Sequence, residues 1–285
     1  MKKPQWITIA IAVFLTGAIY LFGRTVPKKE KEIAHSENDG HDHGAATDIT
    51  IDSILVLAKK QLNTEQLVRI NMLENSISRG DVKDQRLKVY HQLSHFWGDS
   101  MQFFPPYAWY EAEAARLENS EKTLTFAARL FLENLQHEQD PRLVKWEALQ
   151  AKDLFERSLK INPDNDSSKV GLGACYLFGN ISSTPMEGIS KIMEVVERDS
   201  TNVYAQITLA KGSIISGQTE KAVSRLQTVN RLQPDNIEAI LLLAEVFERK
   251  GEKSTATDWY KKSLLYINRA DAREEIEKRI NELSK

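Results

Sequence analysis

Residues 237–270 read IEAILLLAEVFERKGEKSTATDWYKKSLLYINRA, and the motif Gln233-Pro234-Asp235-Asn236 stands directly before them. Counted from Ile237, large apolar groups fall at positions 4, 7, 11 and 24 (Ile240, Leu243, Phe247 and Tyr260), and small ones at 8 and 20 (Ala244 and Ala256). The preceding 34 residues, 203–236, repeat the pattern with Leu209, Ala210, Gly217, Ala222, Leu226 and Pro234 in register. A fixed period of this length marks a chain of stacked supersecondary units. Two amphipathic helices per unit account for the spacing. The alanines allow the pair to approach closely, Gly217 and Gly251 fall where a left-handed residue ends the first helix, and Pro234 ends the second.

The pattern weakens toward the N-terminus. Asn162-Pro163-Asp164-Asn165 opens a further block with Leu172, Gly173 and Tyr176 at positions 7, 8 and 11, followed by three extra residues within 180–185. Leu124, Ala127, Ala128 and Phe131 match another first helix, and Ala151, Phe155 and Ser158 its partner, once about eleven extra residues around 136–145 are allowed. Residues 52–118 read as four more helices with breaks at Asn63-Thr64, Gly80-Asp81 and Phe104-Pro105-Pro106. The stretch 271–284 carries a narrow apolar stripe (Ala272, Ile276, Ile280 and Leu283), as a capping helix requires. No segment alternates with the period of a strand, so the expected fold is all-α.

These motifs resemble the tetratricopeptide repeat, strongly over 166–270 and in part over 121–165. The resemblance implies an α-solenoid of helix-turn-helix units. The expected organisation is an N-terminal anchor (1–24), a polar linker (25–47), a helical region with possible degenerate repeats (48–120), repeats at 121–165, 166–202, 203–236 and 237–270, and a cap (271–285). It further implies a partner-binding groove lined by first helices at positions 2, 5, 9, 12 and 13. Carried onto this chain, that groove holds Arg129, then Val170, Leu177 and Phe178, then Tyr204, Ile207, Lys211, Ile214 and Ile215, and finally Leu241, Glu245 and Arg249. Its centre is apolar and its ends are charged, which suits a peptide or an amphipathic helix. Val170, Ala174, Ile207 and Lys211 stand where chaperone-binding members of the family clamp a terminal carboxylate, so that activity is not carried over.

From Pro4 to Gly23 no residue is charged, and Lys3 and Arg24 bound the run. Twenty residues of helix span roughly 30 Å, the thickness of a bilayer core. Trp6 and Tyr20 fall near the two interfaces. A cleaved signal peptide would have a shorter apolar run and small residues at the cut, and Ala18-Ile19-Tyr20 is a poor match. The expectation is a single-pass anchor in a bacterial inner membrane, with the short basic tail in the cytoplasm and the solenoid in the periplasm. Basic residues on both sides (Lys2 and Lys3; Arg24, Lys28, Lys29 and Lys31) pull the orientation both ways. Residues 25–47 contain almost nothing to bury and read as a coiled tether.

Chemistry is sparse. A net charge of −2 argues against nucleic acid as partner, and the single Cys175 excludes an intrachain disulfide. His35, His41 and His43 lie in the tether, where nothing fixes ligand geometry. His91 and His95 are one helical turn apart, but Gln92 stands where a zincin has glutamate. The aromatic run 103–110 reads as helix packing, with docking as its other reading. No nucleophile, base and orienting group belong together, so no catalysis, metal or cofactor is expected, and a protein partner is. The expected function is a membrane-anchored scaffold or adaptor. Two alternatives stay open: an accessory subunit of a membrane enzyme or of cytochrome c assembly or secretion machinery, and weak metal handling by the linker histidines.

Overall fold

A computed structural model describes residues 49–79, 82–181 and 185–284. The expected anchor at 4–23 and the histidine-bearing tether lie outside the described residues. Among the described residues no helix is long and apolar enough to cross a membrane, and no strand is present. Thirteen α-helices are described there: α1 (Ile51–Lys59), α2 (Thr64–Arg79), α3 (Lys83–His95), α4 (Phe104–Glu118), α5 (Glu121–Leu135), α6 (Pro141–Ile161), α7 (Asp166–Phe178), α8 (Met186–Arg198), α9 (Val203–Ile215), α10 (Thr219–Leu232), α11 (Ile237–Arg249), α12 (Lys253–Ser263) and α13 (Ala270–Leu283). A single π-helical turn, Phe96–Ser100, continues α3.

The helices pack as successive hairpins: α3 on α4, α5 on α6, α7 on α8, α9 on α10 and α11 on α12. Each hairpin leans on the next, as in a nearest-neighbour solenoid. Short side-chain caps set where first helices begin. The carboxamide oxygens of Asn165, Asn202 and Asn236 accept the backbone N–H groups of Ser168, Ala205 and Ala239 at 2.8, 3.0 and 2.9 Å. Each satisfies one of the donors that a helix N-terminus leaves open.

The ends of the first helices differ in a physically simple way. Gly217 and Gly251 adopt φ of +72° and +78°, a conformation that costs glycine little. After α7 the left-handed residue is Asn180, at φ +52°. Gly179 there answers a different need, because a Cβ on it would lie 2.1 Å from the Cβ of Ala148.

The extra residues of the 121–165 unit do not form one long loop. The turn after α5 occupies 136–140, and the remainder lengthens α6 at its N-terminus, where Asp140 accepts the Arg142 N–H at 2.9 Å and Pro141 opens the helix. At the other end of the chain α13 packs on α12. Its Ile276 is buried with Ala244 and Tyr260, and Leu241, Leu264 and Ile267 pack around them.

Candidate peptide groove

The first helices are drawn together by what their hairpin partners allow. Ala210 and Ala222 are both fully buried, as are Ala244 and Ala256, the small residues of positions 8 and 20. In the α7–α8 hairpin the same places hold Gly173 and Gly188. A Cβ on Gly173 would stand 2.6 Å from the Gly188 carbonyl oxygen, and one on Gly188 would stand 2.4 Å from that of Gly173. Large groups at positions 7 and 24 (Leu209, Leu226, Leu243 and Tyr260) fill the space around these contacts and are buried. These close-packed pairs are helix-turn-helix units of the kind that the resemblance to the tetratricopeptide repeat implies.

With the hairpins closed in this way, α7 lies against both α5 and α9. A cavity of about 540 Å³ opens over these helices and α11. Its apolar wall includes Leu177, Phe178, Ile214 and Ile215, and Lys211, Glu245 and Arg249 stand among them. A second, smaller cavity of about 170 Å³ is lined by Arg129, Tyr204 and Ile207 and shares Gln136, Phe178 and Lys211 with the first. The shared residues make the two one continuous groove. Ten of the twelve residues placed there from the repeat register therefore line it. Ile215 is 71% exposed, an open apolar side chain on a surface otherwise edged by charge.

Val170 and Leu241 are the two corrections. Val170 is completely buried and packs with Ile192, Val195, Ala205 and Leu209, so no ligand reaches it. Leu241 packs toward Ile276, Ile267 and Ile280 at the cap, and its neighbour Leu242 lines the groove instead. Leu135 and Gln136 also line it and were not anticipated. They reach it because α5 runs to fifteen residues, whereas α7, α9 and α11 have thirteen each. Thr125, at a register position facing the groove, is drawn into a triangle of hydroxyls with Ser158 and Ser168, each edge 2.9 Å.

The charges of the groove are largely matched within it. The Lys211 ammonium donates to Gln136 Oε1 at 2.6 Å and lies 2.6 Å from Glu238. The Arg129 guanidinium sits 5.8 Å from the centre of the Tyr204 ring and 3.5 Å from Glu133. Burial pushes the Tyr204 phenol well above its ordinary range, so it stays a neutral hydrogen-bonding group. Arg129, Lys211 and Arg249 thus face Glu133, Glu238 and Glu245, and the groove has no strong net sign. Apolar contact, rather than charge, must then supply most of the attraction for a ligand.

Cys175, beside this surface in sequence, is fully buried, and burial pushes its thiol above the usual range. Such a thiol is not an activated nucleophile.

No family model matches this chain, and no curated protein does. Among solved structures, it is similar to MamA 41-end from Desulfovibrio magneticus RS-1, with 21% identity, 66% of this chain and 96% of that chain covered, and a TM-score of 0.42. It is also similar to YrrB, described as a TPR protein with an unusual peptide-binding site, at 15% identity, 72% and 97% coverage and a TM-score of 0.40. At these scores the likenesses carry no further argument.

Proposed function

We propose that the chain is a membrane-anchored, non-catalytic scaffold that holds a peptide or helix of a partner protein in the groove over α5, α7, α9 and α11. The observation that carries this reading is the groove's composition. Leu177, Phe178, Ile214 and Leu242 are half-buried along it and Ile215 is open, and its flanking charges are already balanced. Such a surface favours an apolar stripe over a charged or phosphorylated ligand. The uncharged run at 4–23 supports attachment to the membrane, and the orientation proposed keeps the short basic tail inside the cell and the repeats outside it.

A photo-crosslinking residue tests this directly. In the full chain, placed at Ile215 and expressed in native membranes, it should capture one or a few partner proteins. Placed at Leu265, which is equally open at 75% exposure beyond α12, it should not capture them. Equal capture from both positions, or capture from Leu265 alone, would move the binding surface away from the groove. Protease added outside opened cells should digest the repeats while a cytoplasmic control survives; protection would reverse the orientation.

A further inference from the structure

A separate cavity, of about 590 Å³, lies between α3, the π turn, α4 and α5 and shares no lining residue with the groove. Three local irregularities converge on it. The π turn at Phe96–Ser100 is one; such turns recur where a helix is adjusted for function. Gln102 holds φ +49°, a left-handed conformation that is costly for a residue other than glycine. Phe126, on α5, is 56% exposed although it is wholly apolar. Gly98 lets the Tyr107 ring lie on the backbone, since a Cβ there would stand 2.9 Å from Tyr107 Cδ2.

The chemistry of the walls is specific. Phe104 and Tyr107 form a corner, their rings 6.1 Å apart and 71° to one another, and Phe103 and Phe126 add further aromatic surface. Two carboxylates, Asp99 and Glu111, reach the cavity, and no lysine or arginine lines it. Glu111 accepts a hydrogen bond from Ser94 and lies 3.8 Å from His91 Nδ1. Asp99 lies 2.9 Å from His95 Nδ1. The Tyr107 phenol is pushed up, first by burial and then by the negative charges of Glu111 and Asp99.

We propose that this cavity receives an arginine side chain of a partner polypeptide. Aromatic faces attract a cation from above, and the two carboxylates attract it from the side. A guanidinium is the cation that does both at once, being flat enough to lie on a ring and forked enough to donate in its plane to a carboxylate. An ammonium is more strongly hydrated and lacks the planar fork. An apolar side chain would cover Glu111 without replacing its water, at a cost no ring contact offsets. The site goes beyond the groove and does not depend on it.

The test uses the full chain and the ring C–H signals of its six histidines, assigned one by one through His→Gln variants. N-acetyl-arginine amide and the peptide Gly-Ser-Arg-Ser-Gly should both shift His91 and His95 and leave His137 unmoved. The citrulline peptide, which has the same shape without the charge, should bind about tenfold more weakly, as loss of a charged hydrogen-bonding group requires. Phe126→Ala, at an exposed position, should weaken the arginine peptide about two- to fivefold, and Glu111→Gln about tenfold. Equal shifts from arginine and citrulline would overturn the proposal. So would binding of the free amide but not the peptide, which would indicate a small guanidino compound. A response of His91 and His95 to Zn²⁺ with none to arginine would also overturn it, in favour of a two-histidine metal site.

Discussion

Glu147 is completely buried on α6. One of its oxygens accepts from the Asn134 carboxamide at 2.9 Å, and the other has no partner among the described residues. Burial pushes this carboxyl from its ordinary 4.5 up to about 8, so at neutral pH it is mainly protonated in the folded chain. In the unfolded chain it ionises near its ordinary value. Below that value both states hold the proton and Glu147 exacts no ionisation penalty. As pH rises toward about 8, the unfolded chain releases the proton that the folded chain keeps, and stability falls. Glu147→Gln preserves the shape and removes the titration. Melting curves should show the variant gaining on the parent protein steadily from pH 5 to pH 8; a constant difference would mean the side chain is hydrated. Neither this carboxyl nor the loss of Val170 and Leu241 from the groove was legible in the sequence. The 34-residue register says which face of a helix a residue occupies. It does not say which neighbouring helix covers that face, and α8 over Val170 and α13 beside Leu241 are long-range packing.

At the scale of the element, the repeats were readable because local chemistry and tertiary packing agree. Asn-Pro-Asp-Asn and Gln-Pro-Asp-Asn each end in the asparagine that caps the next helix. The same cap forms at Asn202 without the proline, which is why that boundary is less conspicuous in sequence. Asn236→Ala should lower stability by about 1 kcal/mol, whereas Asn236→Asp, which still accepts the Ala239 N–H, should recover most of it in denaturant titrations. An equal loss from both would assign the effect to the Asn236–Gln233 hydrogen bond, 2.9 Å long. The lengthened N-terminal half of α6 was less legible, because an insertion between two helices carries no sign of whether it loops or extends one. The cap α13 is tied on by Ile276, by the Arg279–Glu248 ion pair, and by Arg273, which donates to the Leu264 and Ile267 carbonyl oxygens at 2.5 and 2.9 Å. Deleting 270–285 exposes Leu241, Leu264 and Ile267 and frees those carbonyls. The truncated chain should melt earlier and aggregate; a monomer of unchanged melting temperature would show that the helix contributes nothing there.

In the whole molecule, each hairpin contacts mainly its neighbours, so a change on the groove surface need not propagate. That separation allows binding to be altered without unfolding. Ile215→Asp places a charge on an open apolar position and leaves the buried pairs Ala210/Ala222 and Ala244/Ala256 intact. Lys211→Glu combined with Arg129→Glu reverses both cations of the smaller cavity, each of which has a carboxylate within 4 Å. It should weaken binding more at low salt than at high salt. The most direct measurement is recovery of co-purified partner by the full-length Ile215→Asp chain from intact membranes, alongside its helicity and melting. The account predicts an unchanged fold and a recovery reduced at least severalfold. Full recovery with the fold intact would contradict it and place the partner elsewhere on the solenoid.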